Sequence, residues 1–431
     1  MTSPKHIAII GAGTAGLAAA IVCAQRQTRV SLFEQASRLD PIGAGLLLQP
    51  AGLAVFEHLG VLEHALSLAA KVTGLQGQLC SGQRIVNSHY RQADANFYAL
   101  GMHRASLCHV LSTRLNDYAD WVQWHMQSSI QSCEDLGQHV RIRGQDQGQA
   151  FDACFDAVLI CNGAKSQLRP SAWIKLDRPY PWGAAWRIIP ECVYNDPEIL
   201  HQFYHKSQTM LGILPTGHMP VPDSTRLSSI FWSLPQNTLL DMAKQQPPFG
   251  QVESQILHQV QQLWPQLQPR LAESLAHADP ATPWLSAHYR DVVLRQFGQG
   301  RIAILGDAAH AMSPQLGQGA NMALLDAWAF GQCLDQVFFN TKQDRNRQDW
   351  AAFWQLYHQQ RQSSTQFYQL FSRLLTPMYQ SSLRWSGPVR DLSFLWMNQI
   401  PYFKTQMALT ISGLKTNMFS HMDVQQIGTR R

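Results

Sequence analysis

Residues 6–34 read HIAIIGAGTAGLAAAIVCAQRQTRVSLFE. His6 to Ile10 is a short apolar run that stops at a glycine, the pattern of a parallel strand buried on both faces. Thr14 to Gln25 is rich in Ala, Leu and Ile and predicts a helix, and Arg29 to Phe33 predicts a second strand ending at Glu34. Together they make one βαβ unit of about 30 residues. At its first turn, Gly11, Ala12, Gly13, Thr14, Ala15 and Gly16 form a GxGxxG fingerprint. Gly11 allows the tight turn, Gly13 lets the backbone approach a pyrophosphate, and Gly16 lets the helix lie close to the sheet. The unpaired N–H groups of the helix N-terminus then face the phosphates. Glu34 stands at the distance expected of a carboxylate that accepts hydrogen bonds from an adenosine ribose. The fingerprint does not separate NAD from FAD.

Further along, Arg301 to Leu305 predicts another buried strand, followed by Gly306, Asp307, Ala308, Ala309, His310, Ala311, Met312, Ser313 and Pro314, then Gly317, Gln318, Gly319, Ala320 and Asn321. With the N-terminal fingerprint this chain resembles the group A flavin-dependent aromatic monooxygenases, the para-hydroxybenzoate hydroxylase-like family, from Ile7 to about Leu334. The resemblance implies an α/β fold: a Rossmann-like FAD-binding domain, an inserted sheet-containing substrate domain and a helical C-terminal region. It implies bound FAD, with Asp307 on a ribityl hydroxyl and Pro314 in the loop beside the flavin ring. Backbone N–H groups of Gly317 to Asn321 would meet the N1–C2=O edge, where a reduced flavin carries negative charge that a helix N-terminus stabilises. A third motif, Cys161 to Arg169, resembles the family's Asp-Gly element through Gly163, Ser166 and Arg169. It departs at Asn162, which keeps one acceptor but lacks the charge. Arg104 matches the family's FAD-contacting arginine, and Arg38 is a weaker candidate for the adenine. A second GxGxxG is absent, which fits transient docking of NAD(P)H on the flavin domain.

The implied activity is that of a single-component monooxygenase. NAD(P)H reduces FAD, O2 reacts at C4a to give a hydroperoxyflavin, and one oxygen passes to an aromatic or enolic small molecule inside a pocket that excludes water. The alternatives are a flavin halogenase or flavin-dependent reductase of the same superfamily, or a flavoprotein that binds a ligand without turnover. The halogenase WxWxIP motif is not present; the nearest segment is Ala184 to Pro190, AAWRIIP. The expected division places the FAD domain at 1–71, 101–177 and 287–340, the substrate domain at 72–100 and 178–286, and helices at 341–431. The substrate side includes Trp182, Trp186, Phe203, Tyr204, Phe231 and Trp232, which would suit a flat apolar ligand but are individually expected to be sheet core. In Gly43 to Pro50, GAGLLLQP, Leu47 stands where some relatives carry a His assigned as base. His103, His205 and Tyr204 are the remaining candidates.

Helices are expected at Leu53 to Ala70, Arg104 to Asn116, Val252 to Leu275 with breaks at Pro265 and Pro269, and Asn321 to Val337. The last ninety residues are expected to be helical, with breaks near Pro377, Pro388 and Pro401. In Leu374 to Phe419, the apolar residues Phe394, Leu395, Trp396, Ile400, Phe403, Met407 and Ile411 predict a face packed on the enzyme or on a dimer partner; peripheral membrane contact is the less favoured reading. A net charge of +5 over 431 residues, without basic blocks, gives no electrostatic case for nucleic acid. The 8 cysteines form no CxxC pair and predict reduced core thiols rather than a metal site. No run of about 18 apolar residues predicts a spanning helix, no leader pattern opens the chain, and a cytoplasmic protein is expected.

Overall fold

The computed structural model describes residues 5–39, 44–245, 249–280, 282–339 and 349–428; Gly43, quoted above, lies outside them. The βαβ unit forms as read: strand His6–Ile10, helix Thr14–Ala24 and strand Arg29–Glu34. His6–Ile10 pairs in parallel with Arg29–Glu34 on one side and with Ala157–Ile160 on the other. Ile302–Ile304 extends the sheet in parallel beyond Ala157–Ile160, and Val122–Met126 closes the opposite side. The short Gly298–Gln299 strand completes a six-stranded sheet. Continuous apolar runs such as Ile7 to Ile10 are what a parallel sheet covered on both faces requires. Helix Thr14–Ala24 is buried along almost its whole length, packed against helix Gly319–Leu334.

A seven-stranded, mostly antiparallel sheet lies beside it, assembled from Gly74–Leu79, Arg84–His89, Ile174–Pro190, Ile199–His205, Thr209–Gly217, Leu227–Pro235 and Leu285–Leu294. Its core includes Ala185, Phe203, Ile213 and Trp232, covered by helices Val252–Leu263 and Gln268–Ala276. The α/β fold expected from the sequence is therefore observed. A small sheet of Gly45–Leu48, Ala99–His103 and Ala70–Val72 joins the two larger ones. A β-carbon on Gly101 would lie 1.9 Å from the Pro215 carbonyl oxygen, so this contact tolerates no side chain.

Several boundaries differ from expectation for local reasons. Leu53 to Ala70 is two helices, Pro50–Leu59 and Leu62–Leu68, because Gly60 turns left-handed at φ 73° and caps the first. Pro269 does not break a helix but lies in the first turn of Gln268–Ala276, where its missing N–H costs nothing. Likewise Pro401 lies in the first turn of Pro401–Ile411 and Pro388 in that of Ser386–Met397, whereas Pro377 falls inside the last turn of Trp350–Tyr379. Val140–Asp146 and Gln149–Phe155 form an antiparallel ribbon, to which Ser128–Asp135 adds a third strand. All eight cysteines are free thiols. Among the described residues no helix is long and apolar enough to cross a membrane, and no His, Cys, Asp or Glu cluster could hold a metal ion.

Candidate functional site

Parallel strand order brings the three motifs together. The carboxyl ends of Ile302–Ile304, Ala157–Ile160, His6–Ile10 and Arg29–Glu34 lie side by side and lead into Gly306-Asp307, Cys161-Asn162-Gly163, the Gly11–Gly16 turn and Glu34. This edge is where an open α/β sheet binds ligands. The chain is cross-stitched there: Gly11 N–H bonds the Phe33 carbonyl at 2.7 Å, Cys161 N–H the Ile10 carbonyl at 2.8 Å, and Leu305 N–H the Ile160 carbonyl at 3.0 Å. Buried Arg169 joins two motifs directly, donating to the Ala308 carbonyl at 2.6 Å and to the Ala164 carbonyl at 2.6 Å.

The glycines of the fingerprint divide by what surrounds them. A β-carbon on Gly16 would lie 1.8 Å from the Gly11 carbonyl oxygen, so Gly16 serves the close approach of helix to turn. A β-carbon on Gly13 would meet nothing within 4 Å. Gly13 also has an extended backbone at φ −80° that any residue could adopt. Protein packing therefore gives no reason for glycine at position 13, and close approach of a ligand does. Thr14 and Ala15 open the helix, with N–H groups that have no intrahelical partner. Glu34 is held in place by Ala12 N–H at 2.8 Å on one oxygen and Ala36 N–H at 2.9 Å on the other. Each oxygen keeps a second lone pair for a ribose hydroxyl.

At the other end, Asp307 is exposed although Gly306 and Ala308 beside it are buried. Its Oδ1 lies 3.7 Å from where a Gly319 β-carbon would be, which places the carboxylate next to the N-terminus of helix Gly319–Leu334. Gly319, Ala320 and Asn321 are the first three residues of that helix, so their N–H groups have no intrahelical partner. Pro314 begins the short turn Pro314–Leu316, and Gly317 ends it at φ 63°. The fully buried Asn321 side chain accepts Gln49 N–H at 2.9 Å and donates to the Leu47 carbonyl at 3.1 Å, tying strand Gly45–Leu48 to this helix. The Gln318 amide donates to the Thr410 and Ile411 carbonyls, both at 3.3 Å, while its own oxygen is buried without a partner. The loop thus offers an exposed carboxylate and unpaired N–H groups, while the Gln318 side chain is turned toward Thr410, Ile411 and Gly413. These suit the ribityl chain and ring edge of a flavin. Asn162 and Lys165, which follow strand Ala157–Ile160, are exposed, as is Arg104 at the start of its helix.

Beneath the loop is a buried cluster the sequence reading did not find. Asp326 Oδ2 takes a hydrogen bond from Gly306 N–H at 2.9 Å and meets His310 Nε2 at 2.6 Å; its Oδ1 accepts from Arg361 Nε at 2.8 Å. Both Asp326 and Arg361 are 2% exposed. Burial pushes the Asp326 pKa up, but His310 and Arg361 outweigh it and hold the group well below the ordinary carboxylate value. The available signal was one acid inside the otherwise apolar run Met322 to Phe330.

The base candidates are not gathered here. His103 is the N-cap of helix Arg104–Asn116, its Nδ1 accepting Ala105 N–H at 3.1 Å. His205 contacts Cys80 Sγ through Nδ1 at 3.2 Å and pairs with Thr209 at the far end of the strand whose Pro215 abuts Gly101. Six residues of strand separate Thr209 from Pro215, about 20 Å. Tyr204 is buried, donates to Gln202 Oε1 at 2.6 Å and has the Arg390 guanidinium 4.9 Å from its ring centroid. Leu47 instead joins Tyr90, Leu200, Leu214 and Ile411 in an apolar cluster beside the loop. Ile411 is the last residue of helix Pro401–Ile411, so a C-terminal helix completes this wall.

The site has the features of a dinucleotide-binding flavoprotein. Residues 5–346 match the family described as "FAD binding domain", and the chain belongs to that family. It is 27% identical over 346 residues to the FAD-dependent monooxygenase OpS4 of Beauveria bassiana (strain ARSEF 2860), covering 78% of this chain and 77% of that protein. It is 26% identical over 334 residues to 3-amino-4-hydroxybenzoate 2-monooxygenase of Streptomyces cremeus, covering 77% and 78%. The fold matches that of p-nitrophenol 4-monooxygenase PnpA from Pseudomonas putida DLL-E4 with a TM-score of 0.76 at 14% identity, over 96% of this chain and 99% of that one. The protein is a single-component FAD-dependent monooxygenase and its cofactor is FAD.

Replacing Asp307 by Ala removes the exposed carboxylate beside the N-terminus of helix Gly319–Leu334 without disturbing a packed group. The expected result is a folded protein whose FAD affinity falls about tenfold or more, the scale of one charged hydrogen bond. Flavin fluorescence on titration with FAD measures it.

Proposed function

We propose that the enzyme uses NAD(P)H and O2 to hydroxylate an electron-rich aromatic or enolic small molecule. The observation that carries this reading is the apolar wall of Leu47, Leu214 and Ile411 set directly against the loop Pro314–Asn321. Bound FAD would supply the redox chemistry, hydride acceptance from NAD(P)H and activation of O2. The protein's residues bind, orient and exclude water. Gly11 to Gly16 and Glu34 would hold the adenosine half and Asp307 the ribityl chain, and the N–H groups of Gly319 to Asn321 would stabilise negative charge on the reduced ring. An apolar wall keeps water from the activated oxygen, and Ile411 closes it from the C-terminal side. The relatives named above act on aminohydroxybenzoate and nitrophenol, aromatic compounds of the proposed class. Screening aromatic compounds for stimulation of NAD(P)H oxidation, with product mass spectrometry, tests the proposal. Stimulation without an oxygenated product would refute it.

An apolar lining raises the pKa of a phenol, and of the two histidine candidates His103 caps a helix while His205 contacts Cys80. A substrate that is already electron-rich, such as a dihydroxy-aromatic or the enol of a diketone, needs no such base. The rate of oxygen transfer should therefore be flat between about pH 6 and 8, the range in which a free histidine titrates. Stopped-flow of the reduced enzyme at varied pH measures this. His103→Ala should leave the profile flat and cost about 1 kcal/mol of stability through the lost helix cap. A pH dependence abolished in His103→Ala or His205→Ala would assign the base to that residue.

A further inference from the structure

The C-terminal helices carry an apolar surface that the cofactor and substrate sites do not use. Trp385, the N-cap of helix Ser386–Met397, and Val389, Leu392 and Trp396 within it follow one another at spacings of four, three and four, which places them on one stripe. All four face outward, with exposures of 61%, 44%, 73% and 60%. The opposite side of the same helix is fastened to the enzyme. Phe394 and Leu395 pack on Ile85, Val86 and Tyr204, and the buried Arg390 lies between Tyr204 and Tyr379. The part of the predicted packing face at Trp396 thus points away from the body, not into it. Trp396 continues through its ring contact with Phe403 to the exposed Tyr402. Lys415 Nζ, bonded to Gln406 Oε1 at 2.7 Å and the Met418 carbonyl at 2.9 Å, holds the turn bearing Phe419 beside helix Pro401–Ile411. Phe419 is 86% exposed.

Charge says what covers this face. From Trp350 to Met422 the sequence has a single acid, Asp391, against six Lys or Arg residues. Asp391 is paired to Arg390, and Arg361 and Arg373 are paired to Asp326 and Asp291 elsewhere. Arg384 and Lys404 flank the stripe, the first exposed and the second half-buried. A second copy of the chain docked through this face would bring the same acid-poor, basic-edged surface against itself. Indole and phenol rings on one helical stripe, with basic residues at its edge, match the interface of an anionic bilayer. We propose that this face is a peripheral docking surface for anionic lipid. The helix Pro401–Ile411 then runs from the docked face to Ile411 in the wall of the substrate side. The docking itself is independent of which compound is hydroxylated.

The test is co-sedimentation of the FAD-loaded protein with sucrose-loaded vesicles of phosphatidylglycerol mixed with phosphatidylcholine, and with phosphatidylcholine alone. The protein should pellet with the anionic vesicles at low salt, less so as salt screens Arg384 and Lys404, and little with the neutral ones. The double variant L392S/W396S should lower the partition coefficient at least about tenfold while keeping its circular dichroism and thermal midpoint. R384E/K404E, which leaves the apolar stripe intact, should also lose binding to the anionic vesicles, and serves if the first variant misfolds. No pelleting of the parent protein at low salt overturns the proposal. So does equal binding to neutral vesicles, or a solution dimer that L392S/W396S splits into monomers.

Discussion

Gly13→Val should fold and be colourless. The two neighbouring fingerprint glycines predict a different outcome, and the contrast gives the experiment its meaning. At Gly16 a β-carbon would collide with the Gly11 carbonyl oxygen at 1.8 Å, and at Gly11, where φ is 102°, with the Cys161 carbonyl oxygen at 2.7 Å. Substitution at either strains the polypeptide itself. At Gly13 the space is open and the backbone extended, so valine costs the fold little. Its methyl groups instead occupy the space through which the backbone must approach a pyrophosphate. FAD affinity should fall by at least about a hundredfold, on the order of 3 kcal/mol, with the thermal midpoint of the cofactor-free protein almost unchanged. Gly16→Ala should show the reverse emphasis, a lowered midpoint even without FAD. Normal flavin content in Gly13→Val would place the pyrophosphate elsewhere.

Asp326→Ala should be the most destabilising single change in the FAD-binding half. It would leave the Arg361 guanidinium and the His310 ring buried without the carboxylate that joins them and would release Gly306 N–H. Breaking a buried ion pair by removing one partner costs about 3–5 kcal/mol, a fall in thermal midpoint on the order of 10 °C. The Asp326 pKa is depressed in the folded protein. Its contribution is therefore complete above the unfolded carboxylate pKa of about 3.9 and is lost as pH falls below that value toward the folded one. The difference between parent and variant should be full at pH 7 and narrow below about pH 4. Differential scanning calorimetry across that range measures both. A midpoint unchanged at pH 7 would mean that the cluster does not hold the loop.

Local sequence was sufficient where chemistry and chain order coincide. Residues 6–34 specify a strand, turn, helix and strand whose periodicities and glycines all agree, and Gly306-Asp307 follows a strand short enough to be recognised. What escaped depends on partners distant in the chain. Asp326 is one acid in an apolar helix, and its meaning appears only when Gly306, His310 and Arg361 converge on it. Asn321 was read for its backbone N–H, yet its side chain locks the strand that carries Leu47. Ile411 reaches Leu47 and Leu214 through a helix that follows the recognisable motifs by ninety residues, and no local pattern announces that return. His103 carries two readings. A histidine beside Arg104 suggests chemistry, but a residue just before a helix is equally placed to cap it, and its Nδ1 accepts Ala105 N–H here.

The central claim is that this apolar, FAD-bound site transfers one atom of O2 to an organic substrate. The most direct measurement uses ¹⁸O2 with the compound that best stimulates NAD(P)H oxidation, followed by mass spectrometry of the product. The account predicts one ¹⁸O in each product molecule and one NAD(P)H consumed for each. An unlabelled product, with the consumed O2 recovered as hydrogen peroxide, would contradict it.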